Sequence, residues 1–211
     1  MTLLESVTPP DRYCSRCGQS VGPYLLDASG CAACRDTRLF VDRMARVGPY
    51  NGILRQMVTK YKFGRNQHLD RPLARLIKSA IEGRGWNREI DALVPVPTTW
   101  YNRLRYRFRP AAQLARATGR ELHIPVLPLI RVIGKKYNQM DLPASLRPGN
   151  VRGVFKLHPR ARPAGARLCI IDDVCTTGAT INEIARVLKK AGAAAVYAAV
   201  VAKTEADQPI A

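Results

Sequence analysis

One stretch constrains this chain more than any other: Ile170-Ile171-Asp172-Asp173-Val174-Cys175-Thr176-Thr177-Gly178-Ala179-Thr180. Its lead-in, Arg167 to Asp172, is apolar without alternation, the pattern of a strand in a parallel sheet covered on both faces. The strand delivers two adjacent carboxylates, and a Thr-Thr-Gly-x-Thr turn then enters a helix. Ile181, Ile184, Ala185, Val187, Leu188 and Ala191 form one stripe of that helix, and Gly192 supplies its C-terminal cap. The following run, Ala193–Ala202, is ten apolar residues, half of what a membrane-spanning helix needs, and reads as a second buried strand.

The rest of the chain repeats this alternation. Ile53, Leu54, Met57 and Val58 recur at helical spacing, as do Leu73, Leu76, Ile77 and Ile81, with a basic turn expected at Lys60–Arg65. Asp91–Pro97 reads as a short strand stopped by proline, Pro110–Thr118 as a helix, and Ile124–Val132 as a strand. The segment 134–150 is polar, basic and turn-rich, a loop pattern. Strands alternating with helices imply an α/β domain with a mainly parallel sheet.

Each part of the central turn has a physical use. Backbone N–H groups opening a helix lack partners and carry the positive end of its dipole, so they can receive a phosphate without a lysine. Gly178 lets the backbone curl around the anion, and Thr176, Thr177 and Thr180 offer hydroxyl donors. Asp172 and Asp173 repel a phosphate but suit sugar hydroxyls or a magnesium ion. An ordinary helix cap needs one such residue, whereas two Asp and three Thr surround one Gly here.

Before this α/β pattern, four cysteines stand as Cys14-x-x-Cys17 and Cys31-x-x-Cys34, separated by thirteen residues. Each pair can wrap two sulfurs around one ion, and together they close a tetrahedron with no open position, which is a structural zinc site. The spacing leaves an iron–sulfur cluster open as an alternative. About forty residues bury too little apolar surface to fold without such a staple. The division expected is therefore 1–42 for a four-Cys module and 43–211 for the α/β domain. Cys175 reads as a packing or surface residue.

Charge narrows the ligands. The 211 residues carry 34 Lys and Arg against 16 Asp and Glu, and residues 92–171 hold fifteen Lys and Arg against Glu121 and Asp141 alone. Such a field gathers phosphorylated metabolites, nucleic acid or an anionic membrane surface. With 46% hydrophobic residues, disorder as the overall state is excluded. The opening Met-Thr-Leu-Leu-Glu-Ser has no basic lead or long apolar run, so a cytoplasmic protein is expected.

The strand-Asp-Asp-x-x-Thr-Thr-Gly-x-Thr pattern resembles the phosphoribosyl pyrophosphate (PRPP) motif of type I phosphoribosyltransferases. A double Cys-x-x-Cys module ahead of such a domain is similar to the ComF/GntX family, whose members act in competence for DNA uptake. Further matching pieces are Lys60-Tyr61-Lys62-Phe63-Gly64, the Val94-Pro95-Val96-Pro97 strand, and Gln139, Leu142, Arg147, Asn150, Val151 and Phe155. One departure is Tyr106-Arg107-Phe108-Arg109-Pro110-Ala111, where the family tends to read Arg-Gly-Phe-Asn-Gln-Ala.

The resemblance implies a type I phosphoribosyltransferase-like fold, a mainly parallel sheet flanked by helices, with a small N-terminal zinc module. It implies that Asp172 and Asp173 hold the ribose hydroxyls and that Thr176, Thr177, Gly178, Ala179 and Thr180 wrap the 5-phosphate, with Mg2+ accompanying PRPP. Pyrophosphate would meet a second loop at Thr98 and Thr99, followed by Arg103 and Arg105, whose planar forks suit paired oxygens. Lys135, Lys136, Gln139 and Arg147 would belong to a flap closing over PRPP and excluding water. The purine-salvage relatives place a catalytic Asp where Thr176 stands, so purine salvage is not expected, and His68, His123 and His158 read as structural or surface residues. Three functions follow: a PRPP-binding ComF-type protein in DNA uptake, with single-stranded DNA and other uptake proteins at the inner face of the membrane as partners; an active phosphoribosyltransferase with an unidentified acceptor; and a zinc-bearing protein that binds single-stranded nucleic acid.

Overall fold

The computed structural model describes residues 12–22, 30–63, 67–98, 109–133 and 151–205. Its centre is a four-stranded sheet in which every neighbouring pair is parallel, ordered β1-β6-β5-β2. These strands are β1 (Arg43–Pro49), β2 (Ala92–Pro95), β5 (Arg167–Cys175) and β6 (Ala195–Lys203). A separate antiparallel pair consists of β3 (Ile130–Val132) and β4 (Phe155–Leu157). The helices are α1 (Gly52–Phe63), α2 (Asp70–Glu82), α3 (Pro110–Leu122) and α4 (Ala179–Lys190).

The unalternating run in β5 is explained by two cores, one on each side of the sheet. Leu168 and Ile170 pack with Val94, Ala198 and Val200 against Ile181, Ile184 and Leu188 of α4. Cys169 and Ile171 face the other way, with Leu93, Ala199 and Val201, against Leu54 and Val58 of α1, Leu73 and Ile77 of α2, and Leu114 of α3. Burial of a large aliphatic side chain contributes about 1.5–3 kcal/mol, so neither face tolerates a polar alternation.

Several expectations shift. The basic turn at Lys60–Arg65 is helix as far as Phe63, because Tyr61 extends the buried stripe of Leu54 and Val58. The apolar run expected to begin a strand at Ala193 begins one at Ala195, since Ala193 N–H closes helix α4 on Leu188 O and Ala194 N–H reaches Ala166 O. The strand expected over Ile124–Val132 is regular only from Ile130. Pro125 and Pro128 have no N–H to give, so this segment bonds β2 only through Leu93 N–H to Pro125 O and Leu127 N–H to Leu93 O. It still covers the open edge of β2. Strand β1, whose seven residues include two arginines and a glycine, has no period in the sequence that marks it.

Gly119, inside α3, sits where that edge segment returns. A Cβ there would lie 2.7 Å from Ile124 O and 2.8 Å from Val126 Cγ2. Backbone oxygen cannot yield as a flexible side chain can. Gly119→Ala is therefore expected to destabilise the protein by about 1–3 kcal/mol despite alanine's better helix propensity. Urea unfolding checks this: a midpoint equal to or above the parent's contradicts the close approach.

Candidate functional site

Strands that all run one way send their outgoing loops from one edge, and the β5–α4 turn leaves from that edge. Alternation holds from Leu168 to Ile171, then breaks: Val174 packs with the side that holds Cys169 and Ile171, while Cys175 packs with the side that holds Leu168 and Ile170. Asp172 and Asp173 occupy the step between. Their carboxylates bind locally, with Asp173 N–H donating to Asp172 Oδ1 (2.9 Å) and Val174 N–H to Asp173 Oδ1 (2.7 Å). Gly178 takes φ +80°, a value that favours glycine, and α4 starts at Ala179 without a side-chain cap on its first turn. Thr177 Oγ1 accepts Ala179 N–H at 3.3 Å, and Thr176 and Thr177 are exposed. The structure thus brings Asp172, Asp173, Thr176, Thr177, Gly178, Ala179 and Thr180 into one strand–turn–helix, as the sequence predicts. Cys175 lies beneath the turn, where burial pushes its thiol up to about 11 and keeps it unreactive.

Two lysines that the sequence reading left without a role meet this turn. Lys62, in the last turn of α1, places Nζ 2.8 Å from Asp173 Oδ1. Burial opposes its charge, but Asp173 and then Asp172 outweigh it and raise the ammonium's pKa above the ordinary lysine value. Lys203, the last residue of β6 and itself buried, donates to Thr176 O (2.7 Å) and Thr204 O (2.6 Å) beneath the turn, and to Gln19 Oε1 at 3.4 Å. Glu183 of α4 also lacked a sequence signal. It accepts Gly153 N–H at 2.8 Å and a double contact from Arg186, which first of all holds its carboxyl below the usual range.

Thr98 follows β2 and is half-buried; β2 lies beside β5, Pro95 opposite Ile171, so both loops leave the same edge. Thr99, Arg103, Arg105, Lys135, Lys136, Gln139 and Arg147 lie outside the described residues. His68, His123 and His158 are exposed.

Cys14, Cys17, Cys31 and Cys34 converge, their sulfurs all within 4.8 Å of one another. Sγ separations are 3.7 Å for Cys14–Cys34, 3.6 Å for Cys17–Cys31 and 3.9 Å for Cys31–Cys34. A tetrahedral ion with metal–sulfur bonds of about 2.3 Å requires sulfurs about 3.8 Å apart, whereas a disulfide needs about 2 Å. The donor set fits a zinc-sized ion. Burial raises the Cys17 thiol strongly; it also works against the Cys14 thiolate, but the amides of Cys17, Arg16 and Cys31 outweigh it there and hold that thiol at about 7. A divalent cation relieves the crowding of thiolates.

The four-Cys module is fastened to the sheet by polar contacts. The Tyr13 hydroxyl accepts Arg46 N–H (3.1 Å) and Arg84 Nε–H (3.0 Å), and both guanidiniums stack on its ring. Glu205, just past β6, accepts Ser20 Oγ–H at 2.7 Å and pairs with the buried Arg46. Burial opposes its charge; the Ser20 hydroxyl and Arg46 prevail and hold its carboxyl low.

Comparisons with known proteins place the chain among its relatives. A phosphoribosyl transferase domain model matches residues 63–209. Competence protein F of Haemophilus influenzae is 30% identical over 185 residues, covering 85% of this chain and 80% of that protein. The DNA utilization protein YhgH of Escherichia coli K12 is 28% identical, covering 87% and 80%. A crystal structure of adenine phosphoribosyltransferase aligns with 65% of this chain and 73% of its own, at 19% identity and a TM-score of 0.44.

The cysteine geometry generates a prediction. Purified protein should hold one tightly bound metal ion per chain, and Cys31→Ser should abolish it and expose residues 12–40 to protease. Metal binding of this kind contributes on the order of 10 kcal/mol to a small module. Full metal content by atomic emission together with an unchanged digestion pattern after Cys31→Ser contradicts the site.

Proposed function

The chain belongs to the phosphoribosyl transferase domain family and to the same family as competence protein F, and on that premise we propose that it binds PRPP with Mg2+ at residues 172–180 and serves in DNA uptake. The observation that carries the reading is the start of α4 behind Gly178, which has no side chain to cap it, placed one turn after two carboxylates at the outgoing edge of a parallel sheet. The 5-phosphate would meet the N–H groups that open α4 and the Thr176, Thr177 and Thr180 hydroxyls, and the ribose would meet Asp172 and Asp173. Thr98 and Thr99, with Arg103 and Arg105, would receive pyrophosphate, and Lys135, Lys136, Gln139 and Arg147 would close over the ligand.

Zinc is the ion proposed for the four cysteines, as a structural site in a module spanning 1–42, with 43–211 as the phosphoribosyltransferase-like domain. Among the described residues no helix is long and apolar enough to cross a membrane. The location that goes with the proposed role in DNA uptake is the cytoplasm, with other uptake proteins met at the inner face of the membrane.

Transfer of ribose 5-phosphate to an acceptor is a further step that the site does not require. Of the two lysines beside the turn, Lys62 is paired with Asp173 and Lys203 donates to the backbone oxygens of Thr176 and Thr204. Single-turnover release of pyrophosphate across candidate amines, bases and phosphates separates turnover from binding.

A second reading has its own observation. Every Lys and Arg described between Ala92 and Ile171 is exposed. Weak, sequence-independent binding to single-stranded DNA follows, with a logarithmic salt slope of about 0.7 for each phosphate neutralised. A flat salt response in a filter-binding titration removes this role.

Isothermal titration with PRPP and magnesium tests the central reading. Asp173→Asn and Thr177→Val should each weaken PRPP by roughly one to two orders of magnitude, because a hydrogen bond involving a charged group is worth about 1.5–3 kcal/mol. Cys175→Ser should lower thermal stability, since it buries a hydroxyl, while leaving PRPP affinity near the parent's. A parent protein that takes no PRPP, or Asp and Thr variants that bind as tightly as the parent, overturns the assignment.

A further inference from the structure

Lys60-Tyr61-Lys62-Phe63-Gly64 is a motif of the family resemblance that the binding reading above leaves without work. Its described part ends helix α1, and its side chains diverge. Tyr61 is buried and donates its hydroxyl to Pro110 O at 2.9 Å, locking α1 to the start of α3. Lys62 instead runs toward the β5–α4 turn and ends 2.8 Å from Asp173 Oδ1.

Asp173 is 4% exposed, and a carboxylate that deep in the protein is costly unless it is paired and hydrogen-bonded. Both requirements converge on one of its oxygens. Oδ1 accepts the Lys62 ammonium and Val174 N–H, whereas Oδ2 accepts no hydrogen bond among the described residues. The ammonium also sits on the last turn of α1, where the negative end of the helix dipole favours a cation. Tyr61 fixes the helix, the helix fixes Lys62, and Lys62 fixes one face of the carboxylate.

We propose that Lys62 is a positioning residue for the sugar site: it pins Oδ1 of Asp173, so that Oδ2 is left turned toward the ribose hydroxyls of PRPP. The role rests on reading residues 172–180 as the PRPP site and assigns the Lys-Tyr-Lys-Phe-Gly motif to that same site. Lys62 acts through Asp173 and touches no part of the ligand.

A double-mutant cycle tests it, with isothermal titration of PRPP and magnesium into the parent, Lys62→Met, Asp173→Asn and the double variant. Lys62→Met should weaken PRPP about ten-fold in the parent and less than about two-fold in the Asp173→Asn background, because the oxygen it pins is no longer a carboxylate's. Lys62→Arg should recover most of the loss. Inorganic phosphate, which reports on the threonine turn alone, should bind the parent and Lys62→Met equally, whereas general damage to the fold would weaken both ligands together. If Lys62→Met does not fold, Lys62→Gln carries the same comparison, and the double variant removes both charges at once.

An equal loss in both backgrounds overturns the proposal in favour of direct contact with the ligand. No loss in the parent, or a matching loss of phosphate, also overturns it. A parent that binds no PRPP fails earlier, before any substitution, and takes down the PRPP reading itself; a parent that binds PRPP with Lys62 silent removes only the present inference.

Discussion

Four strands running in one direction, covered on both faces, decide where chemistry can occur in this protein. The faces are occupied by helices α1, α2 and α3 on one side and α4 on the other, so no polar group of β5 can act until the strand clears the cores. The alternation breaks at Asp172 and Asp173 and the strand leaves the cores after Cys175, on the edge where parallel strands send out their loops and where open α/β sheets hold ligands. The turn after β5, the segment after β2 and the end of β6 all reach that edge. Concentrating anion-binding elements there needs no design beyond the sheet itself.

The same edge holds the four-Cys module. Gln19 and Ser20 meet Lys203, which ends β6, and Glu205 just past it, and Lys203 in turn holds Thr176 O of the β5–α4 turn. A buried ammonium donating to three carbonyl-type oxygens ties the metal module, the last strand and the turn into one unit. This gives the module a structural purpose in the α/β domain whatever else it touches. Its own core is little more than the four thiols with Val21 and Leu39, so metal and sheet must both hold it in place.

The central turn, the cysteine quartet and three of the four helical stripes were legible in the sequence because each carries a local signature: a residue period, a ligand spacing, or a glycine with threonines at a helix start. Lys62 and Lys203 were not, because their meaning lies in partners 111 residues downstream and 27 residues upstream. Strand β1 was hidden for another reason: a parallel edge strand is specified by its neighbour β6, and Arg43, Arg46 and Gly48 break any apolar run. Arg46 makes the point sharply. An arginine at 2% exposure reads as surface in any pattern analysis, whereas here Glu205, Ser20 and Tyr13 offset the cost of its burial. The prolines at 125 and 128 misled in the opposite direction, since an apolar run without N–H donors can lie along an edge but cannot join it.

Electrostatics gives the turn its last constraint. A phosphate cradle beside two carboxylates faces opposing demands, because charge that suits sugar hydroxyls repels the phosphate. A lysine within the turn would settle the phosphate but would also pair with the aspartates and close the site. The structure separates the tasks. Lys62 approaches from α1 and takes up one oxygen of Asp173. Lys203 lies beneath the turn and is spent on backbone oxygens, adding positive potential without presenting a side chain to the ligand. The N–H groups and threonine hydroxyls of residues 176–180 are left as the surface that an anion meets, neutral in formal charge and positive in field. On the proposed reading such a surface would bind a phosphate by geometry more than by net charge, and would so favour a phosphorylated sugar over the many other anions that an excess of surface arginines attracts.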